Sequence, residues 1–349
     1  MKHGVMGLVR ALFAPAISAR LSASQSSRKG RRMLRVVVGL ATFAVLIALG
    51  IGVYGRFIYT QPPFADTPAV VDDTQPLPPA DEFEELAKND PVAMLKECVI
   101  RYQREVKNGL RATLVKAERI QGQPPSGKEP QEEVIRLCIR GDVRDSVTHK
   151  STVEVLMKWE SGAKSILEAK ITGALYSEKP GPDFTDGKVI TWRPEALAFK
   201  TYAVMVNGTL AEGQARYCLR DGGLYGGMLR TFDAWKHRKE AGTLQIEYLE
   251  KRVVPQVGNR LCYIVKRICP TPEVDAFELG GTAKTDPDSI AKEGFATVTV
   301  MIDAERWLQV GTELRRANGE LLASYYFRDV ELNPTFPPDT FTQTGLKKK

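Results

Sequence analysis

Residues 152–159 read Thr-Val-Glu-Val-Leu-Met-Lys-Trp, and their alternation decides the fold class. Val153, Val155, Met157 and Trp159 alternate with Thr152, Glu154 and Lys158, a period of two that gives a strand one buried face and one wet face. Similar strands are readable near 110–120, 132–140, 164–173, 187–193, 243–254, 259–268, 294–303, 306–316 and 320–331. Asn318-Gly319, between the last two, is the strongest hairpin signal in the chain, and Asn207-Gly208 is a second.

Helices punctuate this strand-rich stretch. Asp90 is a good N-cap and Pro91 suits a first helical position. Leu95, Cys98 or Val99, Tyr102 and Val106 then recur at helical spacing until Asn108-Gly109. Residues 224–239 place Leu224, Met228, Phe232 and Trp235 on one helical face, with Arg230, Asp233, Lys236 and His237 elsewhere. A helix between strands must cover a sheet face. The expected class is therefore α+β, a large antiparallel sheet covered by helices.

Toward the N-terminus the chemistry changes. Val36 to Tyr54 is an uncharged, proline-free run about 28 Å long as a helix, close to the hydrocarbon thickness of a bilayer. Arg28, Lys29, Arg31, Arg32 and Arg35 crowd its N-terminal side. Beyond Arg56 the first charges are Asp66, Asp72, Asp73 and Asp81. The positive-inside bias predicts a single-pass protein of a bacterial inner membrane. Its divisions are a basic cytoplasmic tail over 1–35, a transmembrane helix over 36–55, a proline-rich linker over 56–80 and an exported periplasmic domain over 81–345. Ala48-Leu49-Gly50 offers small residues for a signal peptidase, so cleavage is the competing reading. The continued apolar run and the 35-residue leading segment favour an uncleaved signal-anchor. Either outcome exports the remainder.

Charge follows the same division. Of 49 basic residues, nine lie in 1–60, where there is no acid; the remaining 40 face 42 acids. The folded part is nearly neutral, which argues against a nucleic-acid partner. Cys98, Cys138, Cys218, Cys262 and Cys269 show no ligand spacing, and only His3, His149 and His237 accompany them, so no metal or other cofactor is expected. Cys262 and Cys269 would sit on opposite faces of one strand, about 23 Å apart, too far for a disulfide. All five read as small core residues.

Motifs with catalytic or ligand-binding precedent have simpler readings here. Gly222-Gly223-Leu224-Tyr225-Gly226-Gly227 lacks the Lys-Ser/Thr of a phosphate loop and reads as a glycine-rich lead into a covering helix. Ser161-Gly162-Ala163-Lys164 matches S-x-x-K but falls in a turn, without the S-D-N and K-T-G partners. Arg140-Gly141-Asp142 reads as a strand end and turn, and Lys347 to Lys349 as a solvated end. Lys116 and Glu118, with Arg119 on the other side, read as an exposed strand edge. Trp159, Trp192, Trp235 and Trp307 read as core. No catalytic residue is assigned.

Several segments resemble a bacterial family, the domain of unknown function 1571. They are Asp90-Pro91 with its helix to Tyr102, Lys116-Ala117-Glu118-Arg119 followed by Gly122, Met157-Lys158-Trp159, Asp186-Gly187-Lys188 and Arg193-Pro194. The tail Asn318-Gly319-Glu320, Tyr326-Phe327, Asn333-Pro334, Phe336, Asp339 and Phe341 is similar to the end of lipoprotein-carrier (LolA-like) domains. The resemblance spans about residues 88–345. It implies a strongly curved sheet, a half-barrel, whose concave apolar face takes acyl chains in the carriers. On that expectation Val153, Val155, Met157 and Trp159 line the hollow, while Leu224, Met228, Phe232 and Trp235 form a lid. The ligand would be a membrane lipid or lipoprotein acyl chain. The alternative is an envelope scaffold that docks other proteins, with its hollow filled by its own side chains. A third reading, an enzyme, requires carboxylates clustered in a cleft. Residues 270–293 read as a surface insertion.

Overall fold

The computed structural model describes residues 76–143, 152–163, 165–166, 169–179, 188–192, 201–205, 215–278 and 285–348. The basic tail, the apolar run Val36–Tyr54, the spacer up to residue 75, His149, Asp186-Gly187, Arg193-Pro194 and Asn207-Gly208 lie outside the described residues. Among the described residues no helix is long and apolar enough to cross a membrane.

Two helices open the folded part, α1 (Ala80–Asn89) and α2 (Pro91–Glu105). Asp90 starts α2 as expected: its side chain accepts from the Ala93 N–H at 3.1 Å, and Pro91 occupies the first turn. The other end of α2 is closed by Asn333, whose Oδ1 accepts from the N–H of Lys107 (2.6 Å) and Asn108 (2.9 Å), while its Nδ2 donates to the Glu105 carbonyl at 2.7 Å. The sequence reading placed no helix at α1. Its stretch is rich in acids, with only Phe83 and Ala87 buried. Packing stabilises it: the Phe83 ring stacks on Trp307 at 4.0 Å and meets Tyr263 edge-on at 5.6 Å.

Strands β1 (Leu110–Glu118), β2 (Glu132–Arg140) and β3 (Glu154–Ser161) follow. The single strand expected at 164–173 is instead a small hairpin, β4 (Ser165–Ile166) with β5 (Ala169–Lys170), and then β6 (Gly173–Ser177). Next come β7 (Lys188–Trp192), β8 (Thr201–Met205), α3 (Leu224–Glu240), β9 (Gln245–Val254) and β10 (Arg260–Glu273). The chain ends with α4 (Pro287–Glu293), β11 (Phe295–Asp303), β12 (Gln309–Arg315), β13 (Leu321–Leu332) and α5 (Gln343–Lys347). The stretch 270–293, expected as an insertion, thus carries the end of β10 and a short helix. The strand expected from 306 starts later, because Trp307 adopts φ +57 in a turn capped by the Asp303 carboxylate. At the other hairpin, Asn318-Gly319 makes the turn as read, with Gly319 at φ +83.

Among the described residues, eleven strands form one open antiparallel sheet in the order β8-β7-β6-β3-β2-β1-β13-β12-β11-β10-β9. Helices α1, α2 and α3 cover one face. There Leu110, Ala112 and Leu114 of β1, with Ile135, Leu137 and Ile139 of β2, join Leu95, Tyr102, Met228 and Trp235 in the main core. The opposite face is dry as well around β3. Cys138, Leu156, Leu175 and Ile190 are covered by Phe341 and Leu346 of the C-terminal segment. This corrects one expectation: Leu156 points away from the helices yet is buried, so β3 has no wet face in its first half. The chain end is a folded strap as far as Leu346, where the Thr342 side chain caps α5 at the Gly345 N–H (3.2 Å); Lys347 and Lys348 are exposed as expected, and Lys158 Nζ donates to the Lys348 carbonyl at 2.7 Å.

Candidate functional site

The eight residues expected to line and lid a hollow do come together. Val153, Val155 and Met157 of the β3 segment share one apolar cluster with Leu224, Met228, Phe232 and Trp235 of α3, and Trp159 packs at its margin. They meet as a filled core. Met228 is 0% exposed, Trp235 1%, and none of the seven clustered residues exceeds 7%. The fit is close at the start of α3: a Cβ on Gly223 would lie 2.5 Å from Ile139 Cδ1, and one on Gly226 would lie 2.6 Å from the Asp221 carbonyl. Gly223 therefore serves close approach to the sheet, and Gly226 close approach to the turn before the helix. Tyr102 stacks on Tyr225 at 5.2 Å, joining α2 to α3 above the same strands.

Farther along the same face, chemistry takes over from packing. β1 is the central strand of the sheet, flanked by β2 and β13. Lys116 and Glu118 are accordingly buried, at 7% and 5% exposure, and Arg119 at 1%, against the expectation of an exposed edge. Lys116 Nζ lies 2.6 Å from Glu118 Oε2 and 3.5 Å from Oε1 of Glu133, its register partner on β2. The Trp159 indole N–H donates to Glu133 Oε2 at 2.6 Å, and the Tyr325 hydroxyl donates to Glu118 Oε1 at 2.7 Å.

A second layer closes this ionic centre. Arg216, also buried, pairs with Glu278 and donates to the carbonyls of Arg119 (3.1 Å) and Glu293 (3.2 Å). The Tyr217 ring lies against Tyr325 at 5.7 Å with Arg230 over the ring at 4.3 Å, and its hydroxyl donates to Asp275 at 2.8 Å. Arg119 gathers the loop after β1 by donating to the carbonyls of Pro125 (2.9 Å) and Lys128 (2.8 Å). The centre ties segments distant in sequence to β1 and its neighbours.

Its titration behaviour suits that role. Burial pushes the Lys116 ammonium down, but Glu118 and Glu133 outweigh it and hold the pKa above the usual lysine value. Burial and then the Glu118 charge push the Tyr325 hydroxyl well above its usual value. Neither group titrates near neutral pH, where general acid–base work needs it to. Among the described residues no cluster of His, Cys, Asp and Glu is arranged for a metal ion.

The remaining candidates sit apart. A groove of 630 Å³ between α2 and the end of β13 is lined by Arg101, Glu105, Glu305 and Arg306, among others. Arg101 there pairs with Glu105 at 2.7 Å, donates to the Glu305 carbonyl at 2.9 Å and lies 4.7 Å from the Trp307 ring. Ser161 ends β3 beside Gly162 at φ +72, a turn as expected. Gly141 turns likewise at φ +71, and Asp142 accepts from the Tyr102 hydroxyl at 2.8 Å. All five cysteines are free and buried. Burial pushes the Cys269 thiol up to about 11 and Cys262 to about 12.

The sequence reading missed Glu133, Arg216, Glu278 and Tyr325. One signal was present: Lys116 and Glu118 are two apart and so share a strand face with Leu114, which was already apolar.

No family model matches the chain, and no curated protein matches it. Membership of the domain of unknown function 1571 family is therefore not shown. Solved structures do match. A DUF1329 family protein from Desulfovibrio piger is 8% identical with TM-score 0.34, over 74% of this chain and 100% of that one. A putative outer membrane lipoprotein-sorting protein domain from Vibrio parahaemolyticus is 11% identical with TM-score 0.30, over 77% and 100%. The MucA/MucB complex of Pseudomonas aeruginosa matches at 9% identity and TM-score 0.36, over 72% of this chain and 60% of that one.

Proposed function

We propose that the chain is a membrane-anchored, non-enzymatic envelope protein. In this reading its folded part docks other proteins from its surface at the outer side of the bacterial inner membrane. The apolar run Val36–Tyr54 is the anchor and the proline-rich spacer holds the domain off the bilayer. The observation that supports surface docking over an internal lipid is the packing of Met157, Met228 and Trp235, which fill the space an acyl chain would take.

Magnitudes favour the same choice. Lifting α3 would expose Leu224, Met228, Phe232 and Trp235, at about 1.5–3 kcal/mol each, or about 6–12 kcal/mol together. A sixteen-carbon chain gains about 0.8 kcal/mol per buried CH₂, or about 11–12 kcal/mol in all. The exposure cost offsets about half or more of that gain, so an internal lipid would bind more weakly than its own burial suggests.

A photoreactive fatty acid fed to cells producing the full chain tests this. Labelling is expected within 36–54 and not in peptides carrying Met157 or Met228. Label on the 224–240 peptide would defeat the docking reading in favour of lipid carriage. Protease added to spheroplasts is expected to digest the C-terminal part.

A further inference from the structure

All four exposed large apolar side chains among the described residues, Leu249, Val253, Leu261 and Ile268, lie on β9 and β10 at one border of the sheet. β9 pairs with β10 from Val254 to Gln245, and among the described residues no strand lies on its other side. A row of backbone N–H and C=O groups is therefore open to another strand.

The sequence of β9 says which strand. Its register slips at the centre: Tyr248 faces Val265 and Glu250 faces Ile264, so Leu249 is an extra residue. One extra residue reverses the alternation of side chains. Ile246, Tyr248, Lys251 and Val253 then share the helix-covered face, where Lys251 meets Glu84 at 2.8 Å. Glu247, Glu250 and Arg252 share the other.

A second β9 laid antiparallel across a two-fold axis between Leu249 and Glu250 sets Ile246 against Val253, Glu247 against Arg252 and Tyr248 against Lys251. Each pair occurs twice and each stays on one face. Ile246–Val253 matches apolar groups and Glu247–Arg252 matches opposite charges, while Tyr248 meets Lys251 and the central Leu249 meets Glu250. The present partners of these charges are partly exposed: Glu247 with Lys266 at 3.3 Å and Arg252 with Glu250 at 2.8 Å, pairs easily exchanged.

The helix α1 packs beside this border on the helix-covered face, through Glu84–Lys251 and Phe83–Tyr263. A two-fold axis perpendicular to the sheet keeps α1 of both copies on one side.

We propose that β9 is the interface of a homodimer, in which the sheets of two copies join through an antiparallel β9–β9 pair. This goes beyond surface docking and stands independently of it.

The test uses the full chain in mild detergent. In the variant Glu247→Cys/Arg252→Cys, mild oxidation is expected to link two chains, since each new thiol faces its counterpart across the axis. Either single variant is expected to link far less, because like positions lie about 14 Å apart. The native thiols are buried and do not compete. Glu247→Arg is expected to raise the dimer dissociation constant about tenfold or more by light scattering, and Glu247→Arg/Arg252→Glu to restore it. Unchanged circular dichroism would show that these exposed substitutions leave the fold intact. A wild type that stays monomeric, a dimer indifferent to both charge changes, or cross-links from β9 to residues 59–75 or to another protein would overturn the proposal.

Discussion

Along β1 the helix-covered face changes character within a few residues. Leu110, Ala112 and Leu114 lie in the apolar core; Lys116 and Glu118, on the same face of the same strand, lie in the ionic centre. The two halves are equally dry and are held by different physics. The first is stabilised by buried area, which is non-directional and forgives changes of shape. The second depends on matching charge to charge, because each ion has lost its water and has only its neighbours in return. One sheet face can thus be robust at one end and exacting at the other.

The largest expected effect breaks the exacting half. Lys116→Met leaves Glu118 and Glu133 as buried carboxylates without their shared cation, and is expected to cost about 3–5 kcal/mol in urea unfolding. Adding Glu118→Gln and Glu133→Gln should return part of that loss, because no bare charge then remains. A triple variant as unstable as the single one would erase the distinction between the halves. In the apolar half, Met228→Ala should cost about 2–5 kcal/mol, since the surrounding core cannot fully collapse into the space left. Met228→Leu, which nearly conserves volume, should cost less than about 1.5 kcal/mol. If Met228→Leu were as costly as Met228→Ala, the forgiving character assigned to that half would be wrong.

The apolar half was also the legible one. The alternation at Val153, Val155 and Met157, the helical face of Met228, Phe232 and Trp235, and the Asp90-Pro91 start of α2 are local patterns, and the structure has those elements. The ionic centre is built from pairs that sequence spacing cannot show. Lys116 meets Glu133 only through the β1–β2 register, and Arg216 meets Glu278 across 62 positions. Reading β1 as an edge also required knowing which strand follows it on the far side; that strand is β13, from the end of the chain. Distance hid the dry outer face in the same way, since Leu156 is covered by Phe341 and Leu346. The helix α1 was missed because its acids mask a short apolar stripe that matters only once Trp307 and Tyr263 are beside it.

The smallest expected effect lies where the ionic half meets solvent. The loop after β1, gathered on its inner side by Arg119, is tied on its outer side to the β12–β13 hairpin. There the Glu320 carboxylate accepts from the Ser126 hydroxyl and from the Gly127 N–H at 2.6 Å. These bonds favour the charged form, Ser126 most, and hold the Glu320 pKa down to about 2 from an ordinary 4.5. A carboxyl depressed in the folded state stabilises it above the unfolded pKa and loses that contribution as pH falls through the folded pKa. The loop should therefore stay docked at pH 5, loosen as pH drops from about 4.5, and lose this tie near pH 2. The bonds from Arg119 to the carbonyls of Pro125 and Lys128 should stay in place throughout. Following the Gly127 amide chemical shift between pH 5 and pH 2 measures the tie, and Glu320→Gln should flatten that titration with little change in global unfolding. A Gly127 shift that titrates identically in Glu320→Gln would show that some other group holds the loop, and that the ionic half extends farther toward solvent than Arg119.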